Sequence, residues 1–129
     1  WNRRQCTYFN GASNIAQSGG IAALSPKGRE ECRSLVDYYL ENARIIKSGL
    51  EAIGIKCYGG VNSPYVWAKA PRGMKSWEFF DFLLEKAHVV VTPGSGFGGS
   101  GEGFVRVSSY GHREDVIKAI ESIVEHIND

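Results

Sequence analysis

The segment Val89–Tyr110, VVVTPGSGFGGSGEGFVRVSSY, decides how the rest of the chain is read. Three β-branched residues run into Thr92-Pro93, a glycine-dense loop follows from Gly94 to Gly103, and an alternating segment from Phe104 to Ser109 leaves it. Glycines at 94, 96, 98, 99, 101 and 103 strip the loop of side-chain bulk, which is needed only where backbone bends sharply or approaches something closely. A period of two places Val105 and Val107 on one face of the outgoing strand and Phe104, Arg106 and Ser108 on the other. If the valines face a core, the Arg106 guanidinium points into whatever the loop borders. Its planar fork of donors suits a carboxylate or a phosphate. An edge-strand arginine in water is the alternative, and the glycine run favours a ligand.

The pattern G-x-G-x-x-G occurs twice, at Gly94, Gly96, Gly99 and at Gly96, Gly98, Gly101. A dinucleotide fingerprint needs a helix opening at its end, to receive the pyrophosphate, and here a strand follows instead. A kinase-type glycine loop does lie between strands, but no V-A-x-K comes after this one. Both nucleotide readings are set aside.

Working outward, the 129 residues are 43% hydrophobic, enough for a single core. A net charge of +1 leaves no electrostatic footprint for nucleic acid or anionic lipid. No apolar run reaches membrane-spanning length and no charged, apolar leader opens the chain. Cys6, Cys32 and Cys57 are odd in number and widely spaced, which suits reduced thiols in a cytosol. His88, His112 and His126 show no ligand spacing with each other or with the cysteines, so no metal site is expected.

Residues 1 to 12 carry no clear period, and Asn10-Gly11 reads as a turn. The small-residue segment from Ser13 to Leu24 contains two adjacent glycines, which weaken a helix by about 1 kcal/mol each, so it is expected to rely on packing against something else. Ser25-Pro26 is a helix start, with serine at the N-cap and proline at the first helical position. Cys32, Leu35, Val36, Tyr39, Leu40, Ala43, Ile46, Leu50 and Ile53 then recur at spacings of three and four until Gly54 supplies a stop. Helices of that length normally serve two packing units, so residues 1–24 are expected in one body and the rest in another. Strands are expected at 55–58, 65–70, 89–91 and 104–109. Ser76 is expected to cap a helix over 77–87, and a strongly amphipathic helix closes the chain over 114–127. The expected fold is α/β of the α+β small-domain kind: a long helix followed by β-β-α-β-β-α, with helices on one face of a mostly antiparallel sheet.

With these features in place, the chain resembles the C-terminal portion of a fold-type I, pyridoxal-phosphate-dependent class I/II aminotransferase, and within that class the LL-diaminopimelate aminotransferase family. The resemblance is carried by TYFNGASNIAQSGGIAAL at 7–24, YGGVNSPYVWAKAP at 58–71, SWEFFDFLL at 76–84 and TPGSGFGGSGEGFVRVSSYGHRED at 92–115. Gly99 stands where family members often carry proline. By position, the resemblance makes Arg106 the arginine that binds the substrate α-carboxylate, and Asn10 the asparagine that reaches into the neighbouring subunit's active site in a homodimer. Asn62 and Tyr65 fall in the segment that lines the small-domain wall of the cleft. The implied organisation is a large-domain tail over residues 1–24, an inter-domain helix over 25–54 and a C-terminal small domain over 55–129.

The resemblance also implies what this stretch lacks. Transamination needs a Schiff-base lysine that holds pyridoxal 5'-phosphate and relays a proton, an acidic partner for the pyridine nitrogen and a phosphate cup. The lysines at 27, 47, 56, 69, 75, 86 and 118 match no such motif, so these groups are expected upstream of Trp1 and the isolated chain is expected to be inactive. The implied activity of the whole enzyme is transfer of an amino group between LL-diaminopimelate and 2-oxoglutarate in lysine biosynthesis. Its implied place is the cytoplasm, or the stroma of a plastid. An aspartate-, alanine- or aromatic-type aminotransferase is the first alternative. A free-standing, non-catalytic module for carboxylate binding or dimerisation is the second.

Overall fold

The computed structural model describes residues 1–8 and 11–127, and the chain divides into two compact units, Trp1–Val36 and Asp37–Asp129. In the first unit, α1 (Asn2–Tyr8) forms where the sequence shows no apolar period. It buries no residue, so there was no stripe to detect, and backbone bonds such as Gln5 N–H to Trp1 O at 2.9 Å define it. Helix α2 (Asn14–Leu24) begins with the Ser13 hydroxyl accepting from Ala16 N–H at 3.3 Å. It too buries nothing, and Ile15, Ile21 and Leu24 are exposed. Ser25 closes α2 and opens α3 (Pro26–Ala52): its hydroxyl donates to Ala22 O at 2.7 Å and accepts from Gly28 N–H at 3.1 Å. A Cβ at Gly28 would collide with the Ala22 carbonyl, so the α2–α3 corner needs glycine there.

The second unit takes the C-terminal half of α3, which ends at Gly54 with φ of +81°. It continues through β1 (Cys57–Gly59), β2 (Tyr65–Lys69), α4 (Ser76–Glu85), β3 (Thr92–Pro93), β4 (Phe104–Ser108) and α5 (Arg113–His126). The sheet order is β1-β2-β4-β3 with every neighbour antiparallel. Cys57, Val66, Ala68 and Val105 are buried in one core with Ala43, Ile46 and Leu50 of α3, Phe79 and Leu83 of α4, and Val116, Ile120 and Ile123 of α5. Each large apolar side chain so buried contributes about 1.5–3 kcal/mol. Helices α3 and α5 approach closely enough that a Cβ at Gly49 would strike the Ile120 side chain. Burial pushes the Cys57 thiol up to about 11, with Glu51 adding and Lys47 opposing.

Buried polar groups fix the far end of β4. Asn42, fully buried, donates to Ser109 O at 3.2 Å and Gly111 O at 3.0 Å and accepts from Arg113 Nε at 3.1 Å. These bonds satisfy groups that would be costly to bury alone.

Several boundaries differ from the sequence reading, among them the first strand, expected at 55–58 and found as β1 over Cys57–Gly59. Val89–Val91 is unpaired, because its Val89 N–H completes the end of α4 on Leu83 O at 3.0 Å, and pairing starts only at Thr92. Pro93 lies in the sheet's edge strand, where a missing N–H is tolerated. Ser76 is the first residue of α4, not its cap. The N–H of Lys75 before it is answered by the Glu78 carboxylate at 2.8 Å.

Candidate carboxylate-binding site

The sheet face away from the core carries the candidate site. Pairing sets Arg106 directly between Trp67 of β2 and Thr92 of β3, with Tyr65 two residues from Trp67 on the same face. The Arg106 Cζ lies 4.4 Å from the ring centre of Tyr65 and 4.4 Å from that of Phe97. Cation–π contacts of this kind contribute about 0.5–2 kcal/mol, more as water is excluded. The Arg106 Nε is buried with no hydrogen-bond partner, and among the described residues the side chain forms no ion pair. The Ser95 hydroxyl is likewise buried and unanswered. Among the described residues the guanidinium is thus flanked by rings and has no acceptor, which makes it the candidate for a carboxylate ligand.

The glycine loop is built as two 3-10 turns, Gly94–Phe97 and Gly99–Gly101. A Cβ at Gly94 would strike the Gly101 carbonyl oxygen, and one at Gly101 would strike that of Gly94. The loop closes on itself at these two positions, which gives part of the glycine run a reason that involves no ligand. Its exit is tied to α4. The Glu102 carboxylate accepts from Ser76 N–H at 2.8 Å and Gly103 N–H at 3.2 Å, while the Ser76 hydroxyl donates to Gly101 O at 3.1 Å. The Ser76 N–H, with smaller help from Gly103, holds the Glu102 carboxyl below its ordinary range against a desolvation effect of opposite sign. No helix opens at the loop's end, which agrees with setting aside the dinucleotide reading.

The structure therefore brings Tyr65 and Arg106 together. Asn62 lies exposed in the bend before β2, and Asn10 lies outside the described residues. Phe97 and Trp67 were missed by sequence reasoning, although signals existed. Trp67 follows Tyr65 by one strand period, and Phe97 is the lone aromatic within the glycine loop. Their rings meet edge to face at 5.3 Å and, with Tyr58, Ser100, Gly101 and Phe104, line an open, apolar groove of about 450 Å³. Arg106 is not among the residues that line that groove.

The residues present do not make a pyridoxal-phosphate site by themselves. Six of the seven lysines are exposed, and the half-buried Lys47 lies 4.0 Å from Glu51 on its own helix. A lysine suited to covalent cofactor chemistry would be desolvated in a cleft. Among the described residues no cluster could hold a metal ion, and no helix is long and apolar enough to cross a membrane.

The second unit is thus an antiparallel sheet with helices that presents Arg106, unpaired among the described residues, beside a tightly closed glycine loop. The chain belongs to the aminotransferase class I and II family, whose model matches residues 2–123. It is 54% identical over 123 residues to the LL-diaminopimelate aminotransferase of Bacteroides fragilis, covering 95% of this chain and 30% of that protein. It is 55% identical over 125 residues to the enzyme of the same name from Prochlorococcus marinus, covering 97% and 31%. The solved LL-diaminopimelate aminotransferase of Chlamydomonas reinhardtii superposes with a TM-score of 0.93 at 46% identity, over 97% of this chain and 30% of that one. The chain thus spans about 30% of the length of the relatives it matches.

Proposed function

We propose that this chain is the C-terminal part of a pyridoxal-phosphate-dependent aminotransferase that exchanges an amino group between LL-diaminopimelate and 2-oxoglutarate, a step in lysine biosynthesis. The observation that carries the reading is the Arg106 guanidinium, 4.4 Å from two ring centres and without an acceptor among the described residues. In this reading Arg106 binds the α-carboxylate of either substrate by two parallel N–H···O bonds, and the surrounding rings keep water from competing. The cofactor supplies the electron sink for the reaction. Its lysine and phosphate cup come from the portion of the relatives' length that this chain does not span, so the 129 residues alone are inactive. Residues 1–24 belong to the large domain, residues 25–54 join the domains and residues 55–129 form the small domain. Asn10 serves the neighbouring subunit of a cytoplasmic homodimer, and Asn62 and Tyr65 stand at the cleft wall.

The test is Arg106→Lys in the full-length protein. Lysine keeps the charge and loses the fork, so kcat/KM should fall about tenfold to a hundredfold, with KM raised for both substrates and turnover lowered. Unchanged kinetics would remove Arg106 from the site. A panel of amino donors separates the LL-diaminopimelate reading from an aspartate-type one, which is kept because a Thermus thermophilus aspartate aminotransferase variant shares the fold at 27% identity and a TM-score of 0.75.

A further inference from the structure

Phe97 is placed in a way that core packing does not explain. It is 51% exposed and contributes nothing to the buried core. Its neighbours Gly96 and Gly98 stand in open space, and Gly98 adopts a φ of +113° that other residues rarely take. The ring nevertheless has a fixed position, because the Gly94–Gly101 neck closes the loop and the Glu102 and Ser76 bonds tie its exit to α4. The Arg106 Cζ lies over the face of this ring, 4.4 Å from its centre, and the ring meets Trp67 in a T-shaped arrangement.

Tyr65 covers the guanidinium with a ring that is itself held. Tyr110 meets it at 5.6 Å, and Tyr39 of α3 meets Tyr110 at 4.8 Å. One ring is thus linked through Tyr110 to Tyr39 of α3, and the other belongs to the glycine loop. With both ring centres 4.4 Å from Cζ and Nε buried, the edge that carries the terminal nitrogens is left for an acceptor. That is the approach a bidentate carboxylate needs. A free arginine side chain would first have to be ordered by its ligand, and pre-ordering it raises affinity without any new contact to that ligand.

We infer that Phe97 is a positioning residue for carboxylate binding: its ring face, not its apolar bulk, holds the Arg106 guanidinium in the plane that a substrate carboxylate meets. The inference rests on the reading of Arg106 given above. Phe97 touches no reacting atom, so its effect falls on binding of the acid group and not on the chemical step.

The experiment uses the full-length protein with Phe97→Leu, Phe97→Tyr and Arg106→Lys, and glutarate as an unreactive dicarboxylate inhibitor. Phe97→Leu should raise the glutarate inhibition constant and the KM for 2-oxoglutarate by about tenfold, with kcat changed by less than about twofold. The same variant should show a steeper loss of glutarate binding with added salt, because one face of the guanidinium becomes wet. Phe97→Tyr, which keeps a ring face, should restore both constants to within about twofold of wild type. The inference is overturned if leucine serves as well as phenylalanine, if tyrosine is as poor as leucine, or if kcat falls with binding unchanged. A Phe97→Leu protein that fails to fold also overturns it, since the ring would then be structural. Arg106→Lys separates the two failures. If it leaves glutarate inhibition intact, the carboxylate reading itself falls; if it weakens inhibition while Phe97→Leu does not, only the role of Phe97 falls.

Discussion

Two arginines close to the end of β4 differ in what answers their guanidinium groups. Arg113 donates from Nε to Asn42 Oδ1 at 3.1 Å and from Nη2 to Tyr38 O at 3.4 Å, so its charge is spent on the structure. Arg106, seven positions earlier, has rings and, among the described residues, no acceptor. The period of two along Phe104–Ser108 was enough to put Arg106 on the outer face, because the buried Val105 before it and the partly buried Val107 after it, packed against the core, leave a strand little choice. The ring of Phe97 was not legible the same way, since a loop has no period to read. Glu102 offers a residue-scale test of how that loop is held. Its folded carboxyl lies below the ordinary value, so its stabilising effect is complete above that value and is lost as the pH falls through the lowered one. In Glu102→Gln the charge is gone at every pH, and urea midpoints should therefore decline less on acidification than those of wild type, with the gap between the two proteins widest near neutrality. Parallel profiles would show that the carboxylate does not hold the loop to α4.

At the scale of elements, the glycine loop separates residues that its composition alone could not. Gly94 and Gly101 each face a carbonyl oxygen of the other strand of the neck, whereas Gly96 and Gly99 face open space at negative φ. Alanine at 94 or 101 should lower stability by about 1–3 kcal/mol, as overpacking against backbone does. Alanine at 96 or 99 should change it by less than about 0.5 kcal/mol, as at other open surface positions. Equal effects at all four positions in denaturant unfolding would contradict the closed neck. The long helix, the closing amphipathic helix and the outgoing strand were legible because part of each apolar stripe is buried: in α3 Ala43, Ile46 and Leu50 enter the core, whereas Cys32, Leu35 and Val36 of the same stripe are exposed. Val116, Ile120 and Ile123 of α5 go into the core, while Ile117 and Val124 are exposed. β3 was displaced because three β-branched residues look like a strand whether or not a partner lies beside them. Helix α1 was invisible for the opposite reason, having backbone bonds and no buried face.

For the whole molecule, the two units differ in what they bury. Residues 37–127 enclose a core shared by a sheet and three helices, while α1 and α2 bury no side chain in the described residues. An apolar, small-residue helix with no covered face fits a protein of which this chain is about 30%, as in its relatives, and the proposed large domain would supply the missing cover. Family membership follows from nearly the full length of the chain, and the activity proposed for the whole protein turns on one side chain. A crystal structure of the full-length protein with glutarate bound tests that point most directly. A carboxylate group is predicted in the plane of the Arg106 guanidinium, at about 2.7–2.9 Å from two of its nitrogens, with Phe97 and Tyr65 still flanking it. Glutarate bound elsewhere, with Arg106 paired to a carboxylate of the protein itself, would contradict the account.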